Sequence, residues 1–184
     1  DKDVYISMRD GVKVCADIYR PKAEGQFPAL YACSPYQKDL VHLPAVTAFH
    51  MRETNDIEWF VSRGYAYVNA DARGTGKSVE GCWELMNIEE QLDHYDRVEW
   101  IASQSWCNGK VGMIGESYYG WTQWFAAATA PPHLATVVPW DAGADFYRDV
   151  VYHGGLMAMG FLTWGHFNLR VKHILELPEH AHTD

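Results

Sequence analysis

An α/β protein, with a mostly parallel doubly wound sheet entered through an antiparallel hairpin, is the fold that the sequence predicts. Three observations carry the prediction. Residues 4–8 and 13–19 are alternating β-prone runs joined across Asp10-Gly11, a strong hairpin signal. Residues 27–33 and 65–70 are nearly continuous apolar runs, as strands buried on both faces of a parallel sheet must be. From residue 88 onward, helical and strand patterns alternate, which predicts a parallel sheet with helices on both faces.

Between the two apolar strands, residues 57–63 read as the end of a helix stopped by Gly64. Ile88, Leu92, Tyr95, Val98 and Ile101 then recur every three or four residues, predicting a surface helix with one buried stripe. Glu89, Glu90, Asp93, Asp96 and Arg97 take the opposite, solvent side in this reading. Residues 111–115 form a short apolar strand, 119–130 a helix rich in small residues and ended by Pro131 and Pro132, and 135–140 the sixth strand. Beyond Trp140 aromatics, Met and Gly fill residues 146–167, and a helix-like segment spans 169–177. The expected organisation is residues 1–142 as the N-terminal part of one domain and 143–184 as the beginning of a helical cap or lid.

With 184 residues, 48% hydrophobic and 14% aromatic, the chain can bury a core of its own. Its net charge of −9 argues against a nucleic-acid partner, because phosphate binding needs a basic surface, and favours a small molecule or short peptide. No apolar run is long enough for a membrane-spanning helix. The opening Asp1, Lys2 and Asp3 is not a signal-type stretch; a leader could have been removed, so localisation stays open with the cytoplasm slightly favoured. Cys15, Cys33, Cys82 and Cys107 show neither C-x-x-C nor metal-ligand spacing, and no metal or cofactor is expected. Cys15 and Cys33 fall on strands as small apolar residues, while Cys82 and Cys107 fall in predicted loops, where a disulfide between them is left open.

The chemistry concentrates at Gly115-Glu116-Ser117-Tyr118-Tyr119-Gly120. A serine hydroxyl attacks a carbonyl only when it is exposed at strand ends, near a base and near donors for the oxyanion. A sharp strand-turn-helix meets those needs, the helix N-terminus adding free N–H groups. Residues 111–115 supply the strand, Ser117 the hydroxyl, and Tyr119 onward the helix. The usual spacing is G-x-S-x-G, yet here Tyr119 takes the last position and glycine follows at 120. On spacing alone, Ser117 as a plain helix N-cap is an equal alternative.

With this elbow the sequence resembles the X-Pro dipeptidyl-peptidase and cocaine-esterase (CocE/NonD-type) family of α/β-hydrolases, which includes α-amino-acid ester hydrolases and glutaryl acylases and whose elbow reads G-x-S-Y-x-G. Gly115, Ser117, Tyr118 and Gly120 fit that variant. Further blocks in the same order are Met8-Arg9-Asp10-Gly11-Val12, Ser34-Pro35-Tyr36-Gln37-Lys38, Arg63-Gly64-Tyr65-Ala66, Asp71-Ala72-Arg73-Gly74 with Ser78, Glu99-Trp100-Ile101, and residues 106–113. The resemblance implies the N-terminal part of an α/β-hydrolase fold. It also implies a serine hydrolase that cleaves an ester or amide through an acyl-enzyme, as an esterase, acylase or X-Pro-type dipeptidyl-peptidase. Ser117 is then the nucleophile, with the Tyr36 hydroxyl and the Tyr118 backbone N–H as the oxyanion hole. Tyr36 follows the third strand, from which hydrolases supply their second donor; an ordinary buried tyrosine with a locally bonded hydroxyl is the plainer alternative. Trp140, Tyr147 and His153 are the candidates for contacts with substrate.

Residues 73–78 end in Gly-Lys-Ser and invite comparison with the phosphate-cradling G-x-x-x-x-G-K-[ST] loop. Asp71 stands where its first glycine belongs, and residues 79–83 make a poor helix start. The resemblance instead makes Asp71 and Arg73 structural charges that need buried partners. Triad order in this fold is nucleophile, acid, histidine, so the acid and histidine are expected beyond Asp184, with the remaining strands and any C-terminal jelly-roll domain. Losing one essential triad member costs about a million-fold, so this chain alone is expected to be inactive. Its sixth strand is expected to be an open edge, to be completed by the missing C-terminal part or by a second copy. A triad closed by Asp141 or Asp145 with His153, His166, His173, His180 or His182 is the weaker reading, and a metal site at His180 and His182 weaker than a solvated tail. The rival of another class is a catalytically inactive binding or structural module on the same fold.

Overall fold

The computed structural model describes residues 1–42 and 53–164, and the chain divides into compact units of residues 1–142 and 143–184. The first unit is built on six strands: β1 (Val4–Ser7), β2 (Lys13–Tyr19), β3 (Phe27–Ser34), β4 (Ala66–Asp71), β5 (Cys107–Glu116) and β6 (Leu134–Trp140). They lie side by side in the order β1-β2-β4-β3-β5-β6. β1 pairs with β2, and β2 with β4, antiparallel; β4, β3, β5 and β6 are mutually parallel. The hairpin and the parallel sheet are therefore both as expected.

Side chains on the central strands alternate between two cores, as the two-residue strand period requires. Ala29, Tyr31 and Cys33 of β3, Ala66, Val68 and Ala70 of β4, and Val111 and Met113 of β5 face one core. That core is closed by Val98 and Ile101 of α2 (Ile88–Ala102) and Ala126 of α3 (Tyr118–Thr129). Leu30, Ala32, Tyr67 and Ile114 face the other, which is closed by Ile57, Phe60 and Val61 of α1 (Ile57–Val61). Burial on both faces explains why these strands read as almost unbroken apolar runs.

The connectivity places a crevice beside β3. The chain passes from β3 to β4 on one side and then crosses back to β5 on the other. Such a reversal of strand order leaves a gap at the carboxyl ends of the two neighbouring strands, where ligands bind in open α/β sheets. Tyr36 follows β3 directly and Ser117 follows β5 directly. Among the described residues β6 is the sheet's other edge, with Ala135, Thr136, Val138 and Trp140 exposed along it.

Helix α2 turns only part of the expected face inward. Its buried residues are Glu90, Asp93, His94, Arg97, Val98 and Ile101, whereas Ile88 is 57% exposed. Of the charged residues assigned to solvent, Glu89 is exposed and Asp96 half-buried, whereas Glu90, Asp93 and Arg97 are buried because each finds a partner remote in sequence. Asp93 accepts two hydrogen bonds from Arg73, at 2.8 and 2.5 Å, and a third Arg73 nitrogen reaches Asp10 at 2.8 Å. Arg97 donates to the Tyr31 hydroxyl at 3.1 Å, to Cys33 Sγ at 2.9 Å and to the Asp71 carbonyl at 3.3 Å. Burial pushes the Cys33 thiol up to about 12, so it stays neutral.

Residues 71–78 are no phosphate loop. The Asp71 carboxylate accepts the backbone N–H groups of Lys38 and Lys77 at 2.5 and 2.9 Å, and Lys77 Nζ pairs with Asp3 at 2.8 Å. Arg73 meets Asp93 and Asp10 rather than Asp71. Cys82 is exposed, Cys107 is buried at the start of β5 rather than in a loop, and all four cysteines are free.

The second unit opens with one π-helical turn (Phe146–Val151), capped by the Asp145 carboxylate, which accepts the Arg148 N–H at 3.0 Å. A short hairpin follows, β7 (Tyr152–His153) with β8 (Leu156–Met157), and then α4 (Met159–Trp164). Tyr147 stacks on Tyr152 with centroids 4.7 Å apart. The helix expected at 169–177 and His166, His173, His180 and His182 lie outside the described residues. Among the described residues no helix is long and apolar enough to cross a membrane.

Candidate active site

Strand β5 ends at Glu116, α3 begins at Tyr118, and Ser117 alone makes the bend between them at φ 60 and ψ −119. That conformation is strained for a residue with a Cβ, at about 1–3 kcal/mol, and persists only where its surroundings enforce it. The enforcement is visible on each side of the bend. The Glu116 N–H donates to the Glu53 carbonyl and the Ser117 N–H to the Trp140 carbonyl, both at 2.9 Å. The Ser117 carbonyl accepts from Gly120 and Trp121 at 2.9 and 3.0 Å. Gln123, fully buried on α3, donates to the Gly115 and Val138 carbonyls and accepts the Val138 N–H at 2.7 Å, tying the helix to the ends of β5 and β6.

The shifted glycine has a steric reason. A Cβ on Gly120 would stand 2.6 Å from the Ala142 Cβ and 2.9 Å from the Trp140 carbonyl oxygen. Gly115, at φ +150, would drive a Cβ into Tyr119 and to 3.1 Å from the Glu53 carbonyl. The Tyr119 Cβ fits because position 115 has none, and the tyrosine belongs to the core formed with Leu30, Ala32 and Ile114.

Ser117 is not a helix cap, because its side chain makes no capping hydrogen bond. The Ser117 side chain instead interacts with the Tyr36 hydroxyl. The residue is partly exposed, while its neighbours Gly115, Tyr118, Tyr119 and Gly120 are buried. The loop that carries Tyr36 is pinned by Lys38, 1% exposed, whose Nζ pairs with Asp3 at 2.7 Å and Asp17 at 2.9 Å. The Tyr36 ring lies edge-on to Tyr118, centroids 6.0 Å apart, and tilted against Tyr119 at 6.3 Å. Burial, then the nearby Glu53 and Tyr119, hold the Tyr36 hydroxyl well above the usual tyrosine range. It therefore remains a proton donor at any physiological pH.

Tyr118 contributes in two directions. As the first residue of α3 its N–H has no acceptor within the helix. Its side chain runs inward, 0% exposed, and donates to both carboxylate oxygens of Glu90, at 3.0 and 2.9 Å. Burial pushes the Glu90 carboxyl up to about 7, opposed by the Tyr118 hydrogen bond and the Arg97 charge. A second carboxyl, Glu53, is also pushed up to about 7, by burial and then by Glu116. Its Oε2 is buried without a hydrogen-bond partner among the described residues.

Ser117, Tyr36 and Tyr118 thus meet, and Trp140 joins them through its backbone carbonyl with its side chain 40% exposed. Tyr147, 62% exposed, and His153, also exposed, belong to the second unit. Among the described residues no group of three His, Cys, Asp or Glu side chains is placed to hold a metal. Glu53, Glu90 and Gln123 went unrecognised in the sequence. Asn87-x-x-Glu90 has the form of a capping box; Asn87 does cap the Glu90 N–H at 2.8 Å, but the glutamate turns to Tyr118 as well.

Comparison with known proteins bears on this geometry. Cocaine esterase of Rhodococcus sp. (strain MB1 Bresler) is 40% identical over 164 residues, 88% of this chain and 27% of that protein. The Xaa-Pro dipeptidyl-peptidase of Pediococcus pentosaceus is 33% identical over 118 residues, 54% of this chain and 14% of that protein. The crystal structure of a CocE/NonD family hydrolase from Staphylococcus aureus superposes with a TM-score of 0.83 at 34% identity, over 95% of this chain and 33% of that one. The chain spans about a third or less of these relatives' length. The sheet is that of an α/β-hydrolase domain through its sixth strand. The model of the X-Pro dipeptidyl-peptidase (S15) family matches residues 10–182, and the chain belongs to that family.

Proposed function

We propose that this chain carries the nucleophile and the oxyanion hole of a serine hydrolase that cleaves an ester or amide through an acyl-enzyme. One observation carries the reading: Ser117 is held at a left-handed bend after β5, beside the Tyr36 side chain from the loop after the adjacent strand β3. In the first step Ser117 Oγ attacks the substrate carbonyl carbon while its proton passes to a histidine. The carbonyl oxygen, now negative, lies between the Tyr36 hydroxyl and the Tyr118 N–H, both oriented in advance, which is where electrostatic stabilisation is strongest. Collapse expels the alcohol or amine, which takes the proton from the histidine; water then attacks the acyl-enzyme and releases the acid and Ser117. The histidine and its carboxylate are assigned to sequence following Asp184, in the chain order of this fold. Esters are the first substrate class to try, given the 40% identity to a cocaine esterase, and X-Pro peptides the second. Residues 143–184 are assigned as the start of a cap, with Trp140, Tyr147 and His153 as candidate substrate contacts.

A fluorophosphonate probe on the full-length protein tests this. It should label one serine stoichiometrically, and Ser117→Ala should abolish both labelling and ester hydrolysis. Labelling that persists in Ser117→Ala, or a wild-type protein that never labels, overturns the proposal.

A further inference from the structure

We propose that Glu90 is a positioning residue for the oxyanion hole, anchoring the Tyr118 phenol so that the Tyr118 N–H and the Tyr36 hydroxyl converge on one oxygen. The inference rests on the reading of Ser117 as nucleophile and extends it to a residue outside the elbow. Three observations support it. First, the Tyr118 phenol reaches across from α3 to the first turn of α2 and donates to both oxygens of a carboxyl that is itself 2% exposed. A carboxylate taken that far from water is costly unless paired, and a packing role alone is served better by an apolar side chain of the same volume. The neighbouring cation, Arg97, directs its N–H groups to Tyr31, Cys33 and the Asp71 carbonyl. Tyr118 is thus the side-chain donor that Glu90 holds.

Second, Tyr118 is the residue whose N–H the proposed function assigns to the oxyanion, and it adjoins the strained Ser117. The Ser117 carbonyl is fixed by Gly120 and Trp121, which settles one end of the 117–118 peptide. The other end is the Tyr118 Cα, and the grip of Glu90 on the far tip of its side chain settles that. Third, the ring between those two ends is also the surface on which Tyr36 leans edge-on, at 6.0 Å and 68°. Trp83 and Trp121 flank the same ring at 6.1 and 5.8 Å. One anchored ring therefore sets the position of both donors.

The test uses the full-length protein and the variants Glu90→Gln, Tyr118→Phe and the double variant. Rates are expressed per active site titrated with a fluorophosphonate, so a loss of folded protein alone leaves them unmoved. Substrates are p-nitrophenyl esters, and phenylboronic acid serves as the tetrahedral mimic. Displacing oriented groups by a fraction of an ångström to an ångström costs about 10- to 100-fold, so each single variant should lower kcat by that order. KM should stay near the wild-type value and the boronic acid inhibition constant should rise in step with the fall in kcat. The double variant should be no worse than the worse single, since both break one link. Unchanged kcat and boronic acid affinity, a change confined to KM, or losses that multiply in the double variant each overturn the proposal. If Glu90→Gln does not fold, Tyr118→Phe, which keeps the ring, decides alone by the same criteria. A wild-type protein that fails to label sinks the nucleophile reading and this inference with it; normal labelling with wild-type kinetics in Tyr118→Phe sinks only the inference.

Discussion

Replacing Tyr36 by phenylalanine removes one oxygen atom from the candidate oxyanion hole and little else. The ring is held without its hydroxyl, edge-on to Tyr118 and tilted on Tyr119. Its loop is pinned through Lys38 to Asp3, Asp17 and the Asp71 carboxylate. The oxygen itself lies beside Ser117 and is neutral, because burial and Glu53 oppose its ionisation. What disappears is therefore a single preorganised donor, a loss of about 2.7–4 kcal/mol or 10²–10³ in kcat. The ground-state carbonyl gains little from that donor, so KM should change by less than about 3-fold. Steady-state hydrolysis of a p-nitrophenyl ester by the full-length protein, with sites counted by fluorophosphonate titration, measures both constants. A kcat within about 5-fold of wild type would refute the assignment, since a donor worth the full effect would then have to lie elsewhere.

Two more perturbations follow from the same geometry. Gly120→Ala places a Cβ 2.6 Å from Ala142 and 2.9 Å from the Trp140 carbonyl, the group that holds the Ser117 N–H. Overpacking of this kind costs about 1–3 kcal/mol, so thermal unfolding should fall by several degrees and labelling of Ser117 should slow; a variant with unchanged labelling would show that the elbow tolerates the shift. Glu53→Gln tests the buried carboxyl. Its value in the folded protein is about 7 against an ordinary 4.5, so the folded state binds the proton more tightly than the unfolded chain. The stability this confers is fully present below about 4.5 and is lost as pH rises through 7. At pH 8 the ionised wild type should accordingly be weaker than the glutamine variant by about 3 kcal/mol, with the gap closing toward pH 4.5. Denaturant midpoints across that range measure it, and an equal gap at pH 5 and pH 8 would contradict the burial argument.

Where the sequence was read correctly, the interactions that matter are local. The hairpin, the apolar strands and the strand-serine-helix bend each depend on residues within about ten positions of one another, and steric and periodic rules act over that range. Helix α2 shows the failure of the same reasoning. Periodicity sorts side chains by hydrophobicity and sent Glu90, Asp93 and Arg97 to solvent. They are buried because Tyr118, Arg73 and Tyr31 wait for them 28, 20 and 66 residues away. The position of Tyr36 was legible only through the resemblance to a family, as nothing in Pro35-Tyr36 itself announces a donor.

By itself, then, the sequence determined a parallel α/β core and the strand-to-helix bend at Ser117, and weighed against a phosphate loop at 73–78, since these follow from neighbours along the chain. Only the tertiary structure decided that Ser117 is no helix cap, that its hydroxyl meets Tyr36 from the adjacent strand, and that a buried carboxyl at Glu90 grips Tyr118 from below. Burial of a charge depends on whether a partner converges on it, and convergence exists only once the sheet has assembled.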